Sequence, residues 1–282
     1  MHTALTGRTI VMSGGSRGIG LAILVAAARQ GANAVFLAKT DEPDLRLPGT
    51  VHTAVAAIEE AGGRAVAVVG DVRNPEDVDR AVATAVDTFG GVDVCVNNAS
   101  AISLLGTEDL SPKWFDLMQS VNSRGTFLLT RACLPHLRKS DHAHVLTLSP
   151  PLNLAPHWLG AHPGYTLSKY GMTLLTLGWA AEYAEVGISA NCLWPQTTIA
   201  TAAVVNVLRG RELASRSRTP EIMADAATIL LNAAPSEQTG GTLIDADVLA
   251  AAGITDLDGY GGSDDPELDL FLDPLPLHQE GP

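Results

Sequence analysis

A doubly wound α/β fold, seven parallel strands in one sheet with helices on both faces, is what this sequence predicts, and three observations predict it. Short β-branched runs alternate with longer helical patterns along the chain, without a repeat period. A Gly-rich segment, Ser13 to Gly20 (SGGSRGIG), follows the first of those runs and opens the first helical stretch. The 282 residues, 46% of them hydrophobic, suffice for one such sheet with a buried core.

Strands are expected at residues 9–12, 34–38, 65–69, 92–96, 145–148, 188–193 and 242–244, each a short apolar run bounded by turn residues. The first helix, over 21–30, is Ala-rich and stops at Gly31. A later one takes Asn74 as its cap and Pro75 as its first residue, and closes near Gly90-Gly91. Residues 1–254 are read as a single domain and 255–282 as an acidic tail. That tail holds eight acids and no Lys or Arg, so it carries most of the net charge of −13. Its stretch 268–277 alternates apolar residues with Asp and Pro, which suits a segment lying across its own or a neighbouring subunit, or else a solvated tail.

Composition excludes several classes of function. A chain this acidic lacks the basic stripes that neutralise nucleic-acid phosphates, so no nucleic acid is expected as a partner. Its apolar runs fall short of the roughly 20 residues needed to span a bilayer, and the first residues lack a basic start before an apolar core. Cys95, Cys133 and Cys192 stand apart in apolar stretches, as reduced buried thiols do, which places the chain in a reducing, cytoplasmic setting. His157 and His162 lack companions at ligand spacing, and no metal is expected.

In doubly wound sheets ligands bind beyond the carboxyl ends of the strands, where the topology changes direction. The turn with Gly14, Gly18 and Gly20 lies at such an end; its backbone can approach a pyrophosphate while the helix N-terminus faces the negative charge. Tyr165 and Lys169, four residues apart on one helix face, can point into one cleft, where the ammonium favours the phenolate.

The Gly-rich turn, Asp71-Val72, Asn97-Asn98-Ala99-Ser100, Asn122, Ser149, and Tyr165 with Lys169, in this order over residues 5–250, resemble the short-chain dehydrogenase/reductase family and its Rossmann-type fold. Narrower segments resemble its hydroxysteroid dehydrogenase-like branch. These are Ala38-Lys39-Thr40, NNASAIS from Asn97, SPPLNL from Ser149, Trp194-Pro195, and Phe271-Leu272-Asp273 in the tail. The sterol-carrier module of that branch's eukaryotic members is not expected within these 282 residues.

The resemblance implies an NAD(P)(H)-dependent oxidoreductase that interconverts a small hydrophobic carbonyl compound and its alcohol. Tyr165 would be the general acid or base, and Lys169 would lower its pKa and bind the nicotinamide ribose. Ser149 would hydrogen-bond the substrate oxygen, and Asn122 would hold a water linking Lys169 to solvent. Gly14, Ser16, Arg17, Gly18, Ile19 and Gly20 would cradle the pyrophosphate. Asp71 and Val72 would take the adenine, Asn97, Asn98 and Ala99 would border the adenosine ribose, and Pro195 and Thr198 the nicotinamide. The family assembles through long helices, here around 114–138 and 164–186, so a homodimer or homotetramer is expected.

Lys39 stands about where an acid recognises the 2′-hydroxyl of NAD and a cation the 2′-phosphate of NADP. With Arg17 it favours NADP, with NAD as the alternative, unless Asp41, Glu42 or Asp44 pairs with it instead. Three features depart from the family pattern. Gly15 and Ser100 replace residues more often Ala and Gly. Gln196 replaces the Gly after Trp194-Pro195, so that Thr198 or Ile199 would have to meet the nicotinamide amide. The stretch from Ser149 to Tyr165 is long and holds four prolines, which predicts a stiff extended loop over the pocket.

Ile102, Leu104, Leu105, Leu152, Leu154, Trp158 and residues 200–208 are pocket wall or core, and suit an apolar, lipid-like, terpenoid or steroid-like substrate. Arg209, Arg211, Arg216 and Arg218 would hold the phosphates of a coenzyme A thioester, or form a solvated face balanced by Glu212 and Glu221. The competing function is a catalytically silent dinucleotide-sensing or scaffold protein on the same fold.

Overall fold

The structure, a computed structural model, describes residues 3–43, 49–202, 210–263 and 265–274, with main chain alone at 210–212. The chain alternates strand and helix from its start: β1 (Thr9–Ser13), α1 (Gly18–Ala28), β2 (Asn33–Ala38), α2 (Val51–Glu60), β3 (Arg64–Val69), α3 (Pro75–Phe89) and β4 (Val94–Asn97). It continues through α4 (Pro112–Met118), a π-helical turn (Gln119–Arg124), α5 (Gly125–Leu137), β5 (His144–Leu148), α6 (Pro156–Ala161) and α7 (Pro163–Glu182). The remainder is β6 (Ser189–Trp194), α8 (Gly210–Ser215), α9 (Glu221–Asn232), β7 (Thr242–Ile244) and α10 (Asp245–Ala251).

All seven expected strands form, in the spatial order β3-β2-β1-β4-β5-β6-β7, and every pairing is parallel. Alternate residues of each strand face opposite layers, as a period of two requires. Ile10 and Met12 of β1 with Ala34 and Phe36 of β2 face α1, α2 and α9. Val11, Val35 and Leu37 face α3, α5 and α7. Cys95, Cys133 and Cys192 are buried free thiols.

The expected caps form. The Asn74 side chain accepts from Glu76 N, Pro75 opens α3, and Gly90 ends it at φ 91°. The prolines between Ser149 and Tyr165 correct one expectation, since Pro156 and Pro163 stand in the first turns of α6 and α7. A fixed φ suits the first helical turn as well as a stiff loop, so 149–155 and His162 between the two helices remain irregular. Because β1 is flanked by β2 on one side and β4 on the other, the chain reverses its winding there. The crevice this reversal opens lies beyond Ser13 and Asn97.

Candidate active site

Gly14 adopts φ 78°, a region open to glycine, and its N–H bonds Leu37 O at 2.8 Å. Asn98 clamps the turn: its Nδ2 donates to Ser13 O (3.1 Å) and Gly14 O (2.8 Å), while Ser13 Oγ accepts from the N–H groups of Asn98 and Ala99. A Cβ on Gly20 would stand 2.5 Å from both Asn98 Nδ2 and Gly14 O. The α1 N-terminus carries no side-chain cap, which leaves its first-turn N–H groups for an anion. The Arg17 guanidinium donates to Thr40 Oγ1 and to Gly49 O, so it lies beside the Lys39-Thr40 corner.

A slot of about 280 Å³ opens next to that corner, lined by Ala38, Lys39, Asp71, Val72, Ala99 and Val121 among others. Lys39 Nζ lies 2.7 Å from Asp71 Oδ2, and Arg73 approaches the same oxygen at 2.6 Å. Partial burial of Asp71 opposes its charge, but the Arg73 and Lys39 hydrogen bonds prevail and hold the carboxyl well below the usual range. Lys39 thus pairs with Asp71, while of the downstream acids Asp41 pairs with His52 and Asp44 lies outside the described residues. These slots and the glycine cradle fit the two ends of a dinucleotide.

Tyr165 and Lys169 share one face of α7 and line a cavity of about 180 Å³ with Ile19, Asn98, Ser100, Pro195 and Asp269 among its other walls. Lys169 Nζ donates to Leu148 O at 2.6 Å and lies 5.0 Å from the centre of the Trp194 ring. Burial pushes its pKa down to about 7, against the attraction of Asp269. Burial and the Asp269 charge push the Tyr165 phenol up, and a hydrogen bond with Ser100 works the other way. Tyr165 is thus held protonated.

Asn122 sits in the π-helical turn, fully buried. Its amide exchanges two hydrogen bonds with Ala101 and donates to Ser168 Oγ at 2.8 Å; Ser168 Oγ in turn bonds Tyr165 O. This chain fixes the loop after β4 against the first turn of α7. Asn97 instead points inward, to Thr130 and Thr147.

Two expected residues are not among the walls of the cavity at Tyr165 and Lys169. Ser149, following β5, is wholly buried, as Tyr165 and Lys169 nearly are, its hydroxyl near the Cys192 thiol and without a hydrogen-bond partner. Alternation along β5 places it on the same side as Thr147, toward α7, and Ser100 is a hydroxyl on the cavity with Tyr165. Thr198 donates its N–H to Glu267 O and pairs its hydroxyl with Ser217. Ile199, the alternative to Thr198, lines the cavity. Gln196 N donates to Asp245 Oδ1 at 2.8 Å, and Asp245, wholly buried, has its pKa pushed up to about 6 by desolvation.

The tail crosses its own chain. Leu268 bridges to Thr197, Asp269 N donates to Gln196 O, and Trp194 Nε1 donates to Leu270 O. Asp269 thereby enters the cavity, its pKa raised by burial to about 7. The alternation of apolar residues and Asp in the tail was its sequence signal; the destination was not readable.

The apolar candidates divide: Ile102, Leu104 and Trp158 pack beside Tyr165, while Leu105, Leu152 and Leu154 are exposed. Residues 203–208 and Arg209 lie outside the described residues, as does the Arg211 side chain. Arg216 pairs with Asp265 and Glu267, and Arg218 interacts with Asp245, so the described half of the basic cluster is neutralised within the chain. No helix among the described residues is long and apolar enough to cross a membrane.

The chain matches the short chain dehydrogenase family over residues 8–211. It is 49% identical over 274 residues to hydroxysteroid dehydrogenase-like protein 2 of Xenopus tropicalis, covering 96% of this chain and 65% of that protein. The human protein of the same name is 46% identical over the same shares. A short chain dehydrogenase from Mycobacterium thermoresistibile superposes with a TM-score of 0.91 at 50% identity, covering 99% of this chain and all of that one. A metagenomic short-chain oxidoreductase in complex with NADP gives 0.69 at 25% identity, over 86% of this chain and 98% of that one. The glycine cradle, the switch-point crevice and the Tyr165–Lys169 face agree with these likenesses: the chain belongs to the short-chain dehydrogenase family.

Proposed function

We propose that this protein is an NADP(H)-dependent oxidoreductase that interconverts an apolar carbonyl compound and its alcohol. The observation that carries the reading is that Tyr165, Lys169 and Ser100 face one cavity that also borders the glycine cradle through Ile19 and Asn98. NADPH bound along the crevice supplies the hydride, and the chain supplies the proton and the geometry.

Arg17 and Lys39 hold the 2′-phosphate, with Asp71 and Val72 at the adenine. The uncapped N-terminus of α1, with Ser16, Gly18, Ile19 and Gly20, holds the pyrophosphate. Asn98 and Ala99 border the ribose, and Pro195 and Ile199 border the nicotinamide. Tyr165, kept protonated by burial, donates its phenolic proton to the carbonyl oxygen as the carbon is reduced. Lys169, charged below about pH 7, stabilises the phenolate left behind. Ser100, on the cavity beside the Tyr165 phenol, hydrogen-bonds the developing oxyanion. In the alcohol-to-carbonyl direction the same proton returns to Tyr165.

The exposed side chains of Trp114 and Phe127 near α4 and α5, and of Leu167 and Leu174 on α7, support a homodimer or homotetramer built on these helices. Three buried thiols support a reducing compartment such as the cytoplasm. The test is calorimetric titration with NADPH and NADH, then a scan of aliphatic, terpenoid and steroid ketones for NADPH oxidation. Tight NADPH binding with turnover that disappears in Tyr165→Phe supports the reading. Binding of neither nucleotide overturns it.

A further inference from the structure

Phe271 is brought into the active site by a bend that few side chains tolerate. At φ 72° it is the one non-glycine residue with positive φ among the described residues, and it is 1% exposed. A bulky residue keeps such a conformation only where its surroundings fix it. Here the ring lies among five others: Tyr170 at 5.2 Å between centroids, Trp158 at 5.7 Å, His162 at 6.1 Å, and Tyr165 and Trp194 at 6.2 Å. Its plane is within 23° of the plane of Tyr165, the proton donor. The five rings come from α6, α7, the residue between them and β6, none from the tail, so the ring-lined subsite exists whether or not Phe271 fills it.

Size decides what Phe271 is doing there. The cavity left at Tyr165 and Lys169 is about 180 Å³. An enclosed apolar cavity of about 150 Å³ holds one benzene, so a nicotinamide takes up most of the enclosed part of this open-sided one. A carbonyl compound whose oxygen meets Tyr165 must place its substituents beyond that space. The apolar room next to the Tyr165 ring is the room Phe271 occupies.

We propose that Phe271 determines substrate choice as an internal competitor: it fills the aromatic subsite that receives the apolar substituent of the carbonyl compound, so that only a substrate able to displace it reacts. The inference rests on the reading of Tyr165 as a carbonyl reductase residue. Displacement relaxes the strained φ at the cost of the Asn153 hydrogen bond to Phe271 O, and the tail's outer anchor, Asp273 with Asn153, His157 and Trp158, is an exposed polar contact. Substrates with a ring or chain at least as large as the phenyl group are selected, and small polar carbonyls are refused.

Trp158 and Trp194 border the subsite, so their emission reports its occupancy without any turnover. The experiment titrates 2-decalone, a bicyclic apolar ketone, into the wild-type protein, Phe271→Ala and Phe271→Leu, without nucleotide and then with NADPH. Expected is at least tenfold tighter binding by Phe271→Ala, at least threefold tighter by Phe271→Leu, and a KM that falls in the same order while the NADPH Kd holds. The unchanged NADPH Kd shows that the variants fold; if Phe271→Ala does not, Phe271→Leu carries the test. Equal or weaker binding of 2-decalone by the folded variants overturns the proposal, because Phe271 is then a wall of the pocket. Tighter binding without NADPH oxidation upholds the competitor role and sinks the oxidoreductase reading for this ketone, so the two failures are distinguishable.

Discussion

Lys39 Nζ lies 2.7 Å from Asp71 Oδ2, so the cation that would read a 2′-phosphate is held at the end of β2 by the acid at the end of β3. A phosphate dianion arriving there meets a positioned ammonium and the Arg17 guanidinium together. A charge-assisted hydrogen bond contributes about 1.5–3 kcal/mol. Lys39→Ala is therefore expected to weaken NADPH by about 10–100-fold and NADH by little. Equal losses for both nucleotides, measured by calorimetric titration, would show that Lys39 does not read the phosphate.

Tyr165→Phe keeps the ring against Phe271 and removes only the proton. Its kcat should fall by about 10²–10⁴-fold with NADPH affinity held, as single-turnover kinetics can show. An active Tyr165→Phe enzyme would move the acid to another residue.

Ser100 lines the cavity with Tyr165, whereas Ser149 is wholly buried and not among the walls of that cavity. Ser100→Ala should lower kcat by about 10-fold or more, in line with loss of one oxyanion donor, and Ser149→Ala by much less. The reverse order in steady-state assays would restore Ser149 to the reaction.

Asp245 is desolvated, and its pKa rises from 3.8 to about 6 in the folded protein. A carboxyl raised in this way favours the folded state below pH 4 and loses that contribution as pH rises through 6. Asp245→Asn keeps the acceptor for Gln196 N and does not ionise. Between pH 5 and pH 8 the variant should gain about 1–2 kcal/mol on the wild type. Denaturant unfolding at the two pH values checks this, and a constant difference would refute it.

Gly20→Ala places a methyl 2.5 Å from Gly14 O and from Asn98 Nδ2, neither of which can retreat without opening the turn. A loss of about 1–3 kcal/mol in stability and weaker binding of both nucleotides are expected. Thermal unfolding with and without NADPH measures both.

What the sequence revealed was mostly local. Seven β-branched runs bounded by turn residues became seven strands, and Asn74, Pro75 and Gly90 bounded α3, because caps act within one turn of chain. Tyr165 and Lys169 could be placed in one cleft from their spacing alone. Lys39 was readable as a cation at the right distance from the turn, but its partner Asp71 is set by the pairing of β2 with β3. The burial of Ser149, one position from Leu148 on the cavity wall, is set by packing from other elements. Pro156 and Pro163 were read as stiffeners when each sits in the first turn of a helix. The arrival of Asp269 and Phe271 at Tyr165 is a contact across about a hundred residues of chain, and alternation in the tail carries no address.

The clamp of Asn98 on Ser13 and Gly14 sets a clock for biosynthesis. β1 is made first and becomes a central strand, yet its second edge is covered only when β4 arrives. At about 5–20 residues per second the ribosome leaves that edge bare for several seconds. A newborn chain thus exposes Ile10 to Ser13 as an unpaired ribbon, and chaperones that shelter nascent chains should matter most to this protein before residue 98 has emerged.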